Sequence, residues 1–276
     1  MTGSTKLKLS DGTELFYKDW GHGDPIVFSH GWPLTSDAFE DQMIFLAMKG
    51  YRVIAHDRRG HGRSSQPWEG HTMDQYADDL AELVDHLELK KVIHIGHSTG
   101  GGEVARYIGR HGTLKVLKAI LIGAVPPLMV KTEDNPVGTP IEVFDDIRKN
   151  VLKNRSQFFK DLAYEFYGLS RDDPQGSSGL IDSFWMQGMQ SSIKAAYDCV
   201  AAFSETDQRE DLKSMSIPTL VLYGDNDNIV PPISSSKAAI KILPQATEKV
   251  YPGASHGLCT THKDAINEDI YQFISK

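Results

Sequence analysis

Gly96-His97-Ser98-Thr99-Gly100 is the stretch of this sequence that decides the fold. It comes directly after an apolar run, residues 92–96, that predicts a buried strand, and a helix is predicted to begin just past Ser98. A serine between glycines at such a junction is typical of a nucleophile elbow, a strained turn in which a Cβ at either glycine would clash. The helix that begins there also directs free N–H groups toward the serine. Ser98 is therefore the predicted nucleophile.

The segments on either side of this turn alternate between short strands and amphipathic helices. This alternation predicts a mostly parallel sheet with helices on both faces. Two runs near the start, residues 6–9 and 14–18, flank the turn signal Asp11-Gly12 and predict an antiparallel hairpin. With the strand at 92–96 they bring the predicted sheet to eight strands, the others being residues 26–29, 51–55, 117–125, 219–223 and 248–251. Helices are predicted over residues 36–48, 74–87, 233–242 and 262–274.

The interval of residues 127–212 departs from this alternation. It is rich in proline and aromatic residues, and it contains two helical patches, residues 140–150 and 156–167. We expect it to form a helical cap inserted after the sixth strand, over a core domain made of residues 1–126 and 213–276. An aromatic cap above the strand ends makes an apolar substrate pocket. The same aromatic residues can equally serve to pack the cap onto the core.

The bulk composition argues against several classes of protein. The 276 residues, 40% of them hydrophobic, suffice for one large core. No run approaches the ~18 apolar residues of a membrane-spanning helix, so no membrane partner is expected. A net charge of -8 without clustered Lys or Arg argues against a nucleic-acid partner. The two cysteines, Cys199 and Cys259, cannot form a disulfide framework, and with a polar first ten residues they favour a cytoplasmic protein.

Two later segments supply the base and the acid that a serine nucleophile needs. Asp227 and His256 each follow a predicted strand, at the carboxyl end where parallel sheets hold their sites. Their order along the chain, Ser98 then Asp227 then His256, is the order expected when the nucleophile lies on such an elbow. Asp225 is the alternative acid. A carboxylate two residues nearer the strand is more typical of one that accepts backbone N–H bonds in a turn, so Asp227 is favoured.

Two backbone N–H groups are expected to stabilise the oxyanion of an acyl-transfer reaction. One is the N–H of Thr99, the residue after the nucleophile. The other belongs to the loop after the third strand, His30-Gly31-Trp32, where the N–H of Trp32 is the best candidate. The Trp32 ring would then wall the acyl pocket, unless it is an ordinary buried indole. His30 and His97 lie beside the predicted site and are interpreted as structural or lining residues.

Five motifs along the chain carry a resemblance when taken together. They are His30-Gly31-Trp32-Pro33, the run Asp57-Arg58-Arg59-Gly60-His61-Gly62-Arg63-Ser64, Gly96-His97-Ser98-Thr99-Gly100-Gly101, Gly224-Asp225-Asn226-Asp227 and Ser255-His256-Gly257. With Val125-Pro126-Pro127-Leu128 at the entry to the cap, they resemble the cofactor-free bacterial haloperoxidase and aryl esterase family. The resemblance implies the α/β-hydrolase fold and a triad of Ser98, Asp227 and His256. It also implies oxyanion donors at Trp32 and Thr99, with no metal and no cofactor.

The resemblance further implies an activity. The family hydrolyses small or aromatic esters, and it carries out perhydrolysis, in which hydrogen peroxide replaces water and a peracid is formed. The peracid then oxidises halide in solution, so no halide site is needed. The expected partners are a small-molecule ester and hydrogen peroxide, and the resemblance leaves a homo-oligomer open. The run 57–64 is interpreted as a strand-end turn whose Arg and Asp side chains hold loops together without a catalytic role.

Pro33 is a distinctive position, because members on the haloperoxidase side of the family carry proline directly after the oxyanion tryptophan. A proline fixes φ and removes an N–H. Our hypothesis is that it shifts the Trp32 carbonyl toward the acyl-enzyme, where that carbonyl accepts a hydrogen bond from peroxide. The alternative is that Pro33 only shapes the loop. The residues predicted to line the substrate pocket are Trp32, Pro33, Val125, Leu128, Phe144, Phe158 and Ile229.

Two other functions stay open on the sequence. The same triad could act on another acyl bond, such as a γ-lactam amide or a C–C bond next to a ketone. A non-catalytic ligand receptor on the same fold could also retain the triad. A haloalkane dehalogenase or epoxide hydrolase is not expected, because those reactions use a carboxylate nucleophile and the elbow holds Ser98.

Overall fold

The computed structural model describes residues 5–171, 178–243 and 245–276, so residues 172–177 of the predicted cap lie outside the described residues. Its centre is an eight-stranded sheet in the order β1-β2-β4-β3-β5-β6-β7-β8. The strands are β1 (Lys6–Lys8), β2 (Glu14–Gly21), β3 (Pro25–Ser29), β4 (Arg52–His56), β5 (Val92–His97), β6 (Val116–Ile122), β7 (Thr219–Gly224) and β8 (Ala246–Tyr251). β2 pairs antiparallel with β1 and with β4, and the other pairs are parallel. The predicted hairpin and the mostly parallel sheet are confirmed.

The central strands are apolar because both faces of the sheet are covered. All six residues of β5 are buried, and alternate side chains along a strand point to opposite faces. On β6, Ala119 and Leu121 pack into one core cluster, whereas Ile120 and Ile122 pack into the other. A fully buried parallel strand therefore shows a continuous apolar run instead of a polar alternation.

Helices cover the two faces. They are α1 (Glu40–Met48), preceded by a 3₁₀ turn at Ser36–Phe39, α2 (Met73–His86), α3 (Thr99–His111), α7 (Arg209–Ser214), α8 (Ser236–Ile242), α9 (Leu258–Thr261) and α10 (Lys263–Ile274). One face is covered by α1, α9 and α10, in which Ile266, Ile270 and Ile274 recur every four residues. The other face is covered by α2, α3, α7 and α8. Among the described residues, no helix combines the length and the apolar character that crossing a membrane requires.

The interval between β6 and β7 is helical, as predicted, and holds α4 (Ile141–Tyr167), α5 (Ser178–Met189) and α6 (Ile193–Glu205). The two predicted patches are the two arms of α4, which are joined at Asn154, where φ is -165° and ψ is 79°. The Asn154 side chain accepts a hydrogen bond from the N–H of Gln157 at 3.1 Å, so it caps the second arm. Apolar residues of all three helices form a third cluster with Trp32.

The predicted strand 117–125 is wrong at its end, because β6 stops at Ile122. The next residue, Gly123, has a φ of +47° and leaves the extended conformation. The chain then turns toward the elbow, where the N–H of Val125 donates to the carbonyl of Ser98 at 3.3 Å. This turn removes Val125 from the sheet and places it beside Ser98.

Candidate active site

The strand β5 and the helix α3 meet at Ser98 in a strained turn. Ser98 has a φ of 56° and a ψ of -122°, a conformation that a non-glycine residue rarely adopts. Its N–H donates to the carbonyl of Ile122 at 2.9 Å, and its own carbonyl accepts from Gly101 at 2.9 Å. A Cβ at Gly100 would lie 1.9 Å from the carbonyl oxygen of Ser29. Only glycine therefore lets α3 begin this close to the sheet.

Asp227 and His256 lie in contact at the carboxyl ends of β7 and β8. The Nδ1 of His256 is 2.7 Å from the Oδ2 of Asp227, and both side chains are fully buried. The other carboxylate oxygen, Oδ1, accepts from the N–H groups of Ile229 at 3.0 Å and Val230 at 2.8 Å. Both oxygens are thus occupied, which fixes the orientation of the carboxylate.

The rival acid, Asp225, has a different partner. Its side chain is exposed, and its Oδ1 accepts the N–H of Gly253 at 2.6 Å. It therefore ties the β7 loop to the β8 loop, as expected for an aspartate in a turn. Of the two candidate acids, the one hydrogen-bonded to the His256 ring is Asp227.

The imidazole of His256 is oriented for proton transfer. A carboxylate only accepts hydrogen bonds, so Nδ1 carries the proton that Asp227 holds, and Nε2 has a free lone pair. Nε2 is buried and has no hydrogen-bond partner among the described residues. The ring packs edge-on to Phe166 with centroids 4.9 Å apart, and it lies 4.7 Å from the ring of His97. These contacts hold the ring plane in place.

The two predicted oxyanion donors lie on segments that flank Ser98. Thr99 is the first residue of α3, where an amide has no acceptor within its own helix. The loop that carries Trp32 also lies close to Ser98, because a Cβ at Gly31 would be 3.0 Å from the Cβ of Ser98. Within the described part of the chain, the amides of Trp32 and Thr99 donate no hydrogen bond. Both N–H groups are free to bind an oxyanion.

A cavity of about 220 Å³ opens beside Ser98 and Thr99. Five of the residues predicted for the pocket line it: Trp32, Val125, Phe144, Phe158 and Ile229. The other lining residues were not predicted for the pocket. They are Met129, Thr139, Val143, Ile147, Leu162, Glu165, Phe166, Phe203, Asn228 and Val230. Most of them lie on α4 or in loops, and only the aromatic content of the interval 127–212 pointed toward them.

Two residues predicted for the pocket, Pro33 and Leu128, do not line this cavity. Both are buried. Met129 lines the cavity instead of Leu128. Pro33 lies inside a turn that is closed by the N–H of Leu34 donating to the carbonyl of Gly31 at 2.9 Å. Its position favours a role in shaping the loop over direct substrate contact.

The indole of Trp32 both lines the cavity and contacts the helices between β6 and β7. Its Nε1 donates to the carbonyl of Ala196 on α6 at 3.1 Å. Its ring packs against three phenylalanines of α4 and α6 at centroid distances of 5.6 to 6.4 Å, namely Phe158, Phe159 and Phe203. The two interpretations of Trp32, pocket wall and buried indole, therefore hold together.

The two histidines beside the site are buried and structural. Burial lowers the pKa of His97 to about 3, and its Nε2 lies 3.0 Å from the carbonyl oxygen of His256. Burial, reinforced by the nearby Arg58, also lowers the pKa of His30 well below its ordinary value. The Nε2 of His30 accepts the N–H of Arg58 at 2.9 Å, and its Nδ1 contacts the carbonyl of Gly31 at 2.9 Å. Both rings stay neutral and shape the backbone around Ser98.

The run 57–64 joins loops, as its sequence indicated. Asp57 accepts from the N–H of Ser36 and from the N–H and Nε of Arg63, all at 2.8 Å. Burial raises the pKa of the Asp57 carboxyl, but the hydrogen bonds from Arg63 and Ser36 outweigh it, so that the pKa is lowered. Asp57 is a buried anion that anchors the segment after Pro33.

Comparisons with known proteins bear on both fold and chemistry. Residues 24–263 match the family model described as the alpha/beta hydrolase fold. A non-heme haloperoxidase of Rhodococcus erythropolis is 57% identical over 269 residues, which cover 97% of this chain and 98% of that protein. A bifunctional esterase/perhydrolase of Acinetobacter calcoaceticus is 50% identical over 271 residues, again 97% and 98%. The crystal structure of a bromoperoxidase from Bacillus anthracis has a TM-score of 0.92 at 39% identity and covers 96% of both chains.

Proposed function

This chain belongs to the α/β-hydrolase family and is a hydrolase, and we propose that Ser98, His256 and Asp227 are the triad with which it cleaves carboxylic esters. The observation that carries the proposal is the buried 2.7 Å contact between His256 and Asp227, beside a serine held at a φ of 56°. A histidine whose Nδ1–H is held by a carboxylate presents a basic Nε2. In this arrangement Nε2 has no other partner among the described residues.

The acylation step follows from these positions. The Oγ of Ser98 attacks the ester carbonyl while its proton passes to the Nε2 of His256. The carbonyl oxygen becomes an oxyanion, which accepts hydrogen bonds from the free amides of Trp32 and Thr99. Collapse of this intermediate breaks the C–O bond, and the departing alkoxide takes the proton back from His256. The products are an alcohol and an acyl-enzyme on Ser98.

The deacylation step decides between hydrolysis and perhydrolysis. His256 removes a proton from water as the water oxygen attacks the acyl carbonyl of the acyl-enzyme. Collapse of this second tetrahedral intermediate breaks the bond between the acyl carbon and the Oγ of Ser98, which takes the proton back from His256 as the acid leaves. Hydrogen peroxide in place of water yields a peracid, which is the step implied by the kinship with the esterase/perhydrolase. The peracid oxidises halide in solution, which accounts for haloperoxidase activity without a halide site.

The cavity supports small esters with an apolar acyl or aryl group. Its lining is largely aromatic and aliphatic, and its volume of about 220 Å³ is below the usual range of about 300–1,000 Å³ for drug-sized ligands. A compact ester such as an aryl acetate therefore suits it. We further propose that residues 127–212 form the cap over a core of residues 1–126 and 213–276, since the helices α4, α5 and α6 all fall between β6 and β7.

We propose the cytoplasm as the compartment. Both cysteines, Cys199 and Cys259, are free and buried. Reduced thiols are typical of proteins in a reducing compartment. Burial raises the pKa of Cys199 to about 11 and that of Cys259 to about 12, so neither is a thiolate nucleophile that competes with Ser98.

The direct test is hydrolysis of p-nitrophenyl acetate by the wild type and by Ser98→Ala, repeated with hydrogen peroxide and a halogenation reporter. We expect Ser98→Ala to lower kcat by at least about 10⁴-fold, since removal of a triad serine leaves only the contribution of binding and the oxyanion donors. The control is Ser204→Ala, which removes a buried hydroxyl that donates within α6. A wild type without turnover would favour the receptor, and turnover of amides over esters would favour the amidase alternative.

A further inference from the structure

A buried ion pair lies behind the two oxyanion donors. The side chains of Arg58 and Glu103 are both at most 1% exposed, and the Nε of Arg58 lies 2.6 Å from the Oε2 of Glu103. The same guanidinium donates through Nη2 to the carbonyl of His30 at 2.6 Å. The backbone N–H of Arg58 donates to the ring of His30 at 2.9 Å. Arg58 therefore makes two hydrogen bonds to His30 and an ion pair with Glu103.

Glu103 is held as firmly as Arg58. Its Oε1 lies 2.8 Å from the Nε2 of His56 and accepts the hydroxyl of Ser29 at 2.9 Å. Burial alone would raise the pKa of the Glu103 carboxyl, but Arg58 and His56 lower it to about 2. Glu103 is therefore a carboxylate with partners on both oxygens. Its position on α3, one turn after Thr99, is set from the sheet side by Ser29 at the end of β3.

We propose that Arg58 is a positioning residue that holds the oxyanion donors Trp32 and Thr99 at a set separation. The inference rests on the proposed esterase function. His30 is two residues before Trp32 in the chain, and Glu103 is four residues after Thr99 on the same helix. One planar guanidinium thus joins the two segments that carry the two N–H groups. Preorganised donors of this kind stabilise the oxyanion because they need no rearrangement during the reaction.

The guanidinium is needed for its shape as well as for its charge. Lysine presents a single ammonium on a flexible stem, whereas arginine presents donors in a rigid fork. Lysine at position 58 can keep the ion pair with Glu103, but it cannot also hold the His30 carbonyl in the same geometry. A buried ion pair contributes little net stability compared with apolar packing. A role in positioning gives a reason for a charged pair at this place.

The chain offers a matched control at the next residue. Arg59 is 2% exposed, and it contacts Asp79 on α2 with two nitrogens, at 2.5 and 2.6 Å. Its Nη1 contacts Asp11 in the β1–β2 turn at 2.9 Å. The pair Arg59–Asp79 is therefore also a buried Arg–carboxylate pair, but no contact of Arg59 reaches the loop of Trp32 in the described structure. Replacing it perturbs stability without touching the donors.

The experiment compares Arg58→Lys and Glu103→Gln with Arg59→Lys and Asp79→Asn. For each, kcat and KM are measured on p-nitrophenyl acetate, and thermal unfolding reports stability. Binding of a trifluoromethyl ketone, which forms a tetrahedral adduct on serine, is compared with binding of the matching ether, which has no carbonyl to attack. A structural role alone changes Tm in all four variants and leaves the ratio of these two affinities unchanged.

We expect Arg58→Lys to lower kcat by about 10–100-fold with little change in KM, since a misplacement of about 1 Å costs about 10²-fold. The affinity for the ketone falls by a similar factor, and the affinity for the ether is kept. Glu103→Gln should lower kcat and the affinity for the ketone in the same way, and the two controls should change neither.

Equal kcat losses in Arg58→Lys and Arg59→Lys would overturn the proposal while leaving the esterase function intact. A failure of both Arg58→Lys and Glu103→Gln to fold, with both controls folded, would also overturn it. An inert wild type would instead refute the function itself.

Discussion

Asp227→Asn is the substitution that tests the geometry of the site most sharply. In the native protein the Oδ1 of Asp227 accepts two backbone N–H groups, at 3.0 and 2.8 Å, and its Oδ2 faces the Nδ1 of His256 at 2.7 Å. An asparagine must put its carbonyl oxygen where the two N–H groups point. Its amide nitrogen then faces Nδ1 and donates to it. The imidazole is forced to carry its proton on Nε2, which can no longer accept the proton of Ser98.

The size of the effect follows from the cost of escaping this arrangement. Flipping the amide would restore the imidazole but leave the amides of Ile229 and Val230 facing an NH₂ group. Each unsatisfied buried group costs about 1–3 kcal/mol, so the flip costs about 2–6 kcal/mol. The equivalent change in serine proteases lowers kcat about 10⁴-fold, or about 5.5 kcal/mol. We expect a loss of that order here, with KM and Tm close to those of the wild type.

The assay is the steady-state hydrolysis of p-nitrophenyl acetate, with thermal unfolding measured on the same samples. The matched control is Asp225→Asn, which alters an exposed carboxylate that accepts the loop N–H of Gly253. It should retain kcat within a few-fold. Retention of more than a tenth of the activity by Asp227→Asn, or an equal loss in Asp225→Asn, would refute the assignment of the acid.

Three further predictions test the pocket, the oxyanion loop and the core. Ile229→Ala enlarges the cavity and should raise the preference for butyrate over acetate esters several-fold. Leu128→Ala, at a residue that does not line the cavity, should leave this preference unchanged. Equal shifts in the two variants would contradict the assignment of Ile229 to the cavity lining. Pro33→Leu should lower the ratio of perhydrolysis to hydrolysis, measured as peracid against acid from one ester, and an unchanged ratio would leave Pro33 as a loop residue only. His94 is buried with neither ring nitrogen hydrogen-bonded among the described residues, and burial lowers its pKa to about 3. Because the unfolded chain binds this proton more readily, native stability is complete above pH 6.5 and falls as the pH drops toward 3, by about 2 kcal/mol at pH 5. His94→Leu should remove that loss in urea unfolding at pH 5 against pH 7.5, and an equal acid loss in variant and wild type would show that His94 does not titrate in this way.

Local sequence patterns were sufficient to predict structure wherever that structure depends on the backbone conformation of neighbouring residues. The glycines around Ser98, the turn at Asp11-Gly12 and the helical spacing of α2 and α10 predict structure that depends on neighbours in the chain. The break of α4 at Asn154 was visible for the same reason, as two helical patches. The end of β6 was misjudged because the apolar run continues through Val125. Apolar character alone does not reveal that Gly123 turns the chain.

The proposed chemistry of the site could be predicted from the sequence, because it depends on residue type and chain order. A serine at an elbow, followed by Asp227 and His256 after later strands, is a pattern that few other arrangements share. The preference for Asp227 over Asp225 as the acid rested on the offset from the strand and on the family resemblance. The structure adds the distances and the hydrogen bonds that make the choice physical.

Only the tertiary structure decided which side chains meet across long stretches of chain. It turned Leu128 and Pro33 away from the cavity and brought Met129, Phe166 and Phe203 to it. It also joined Arg58 to Glu103, two charged residues far apart in the chain with no sequence signal of pairing. A turn or a strand is determined by steric limits on adjacent residues, and these are the same in any protein. The side-chain contacts depend on how α4, α6 and the sheet pack together, which no local stretch of sequence determines.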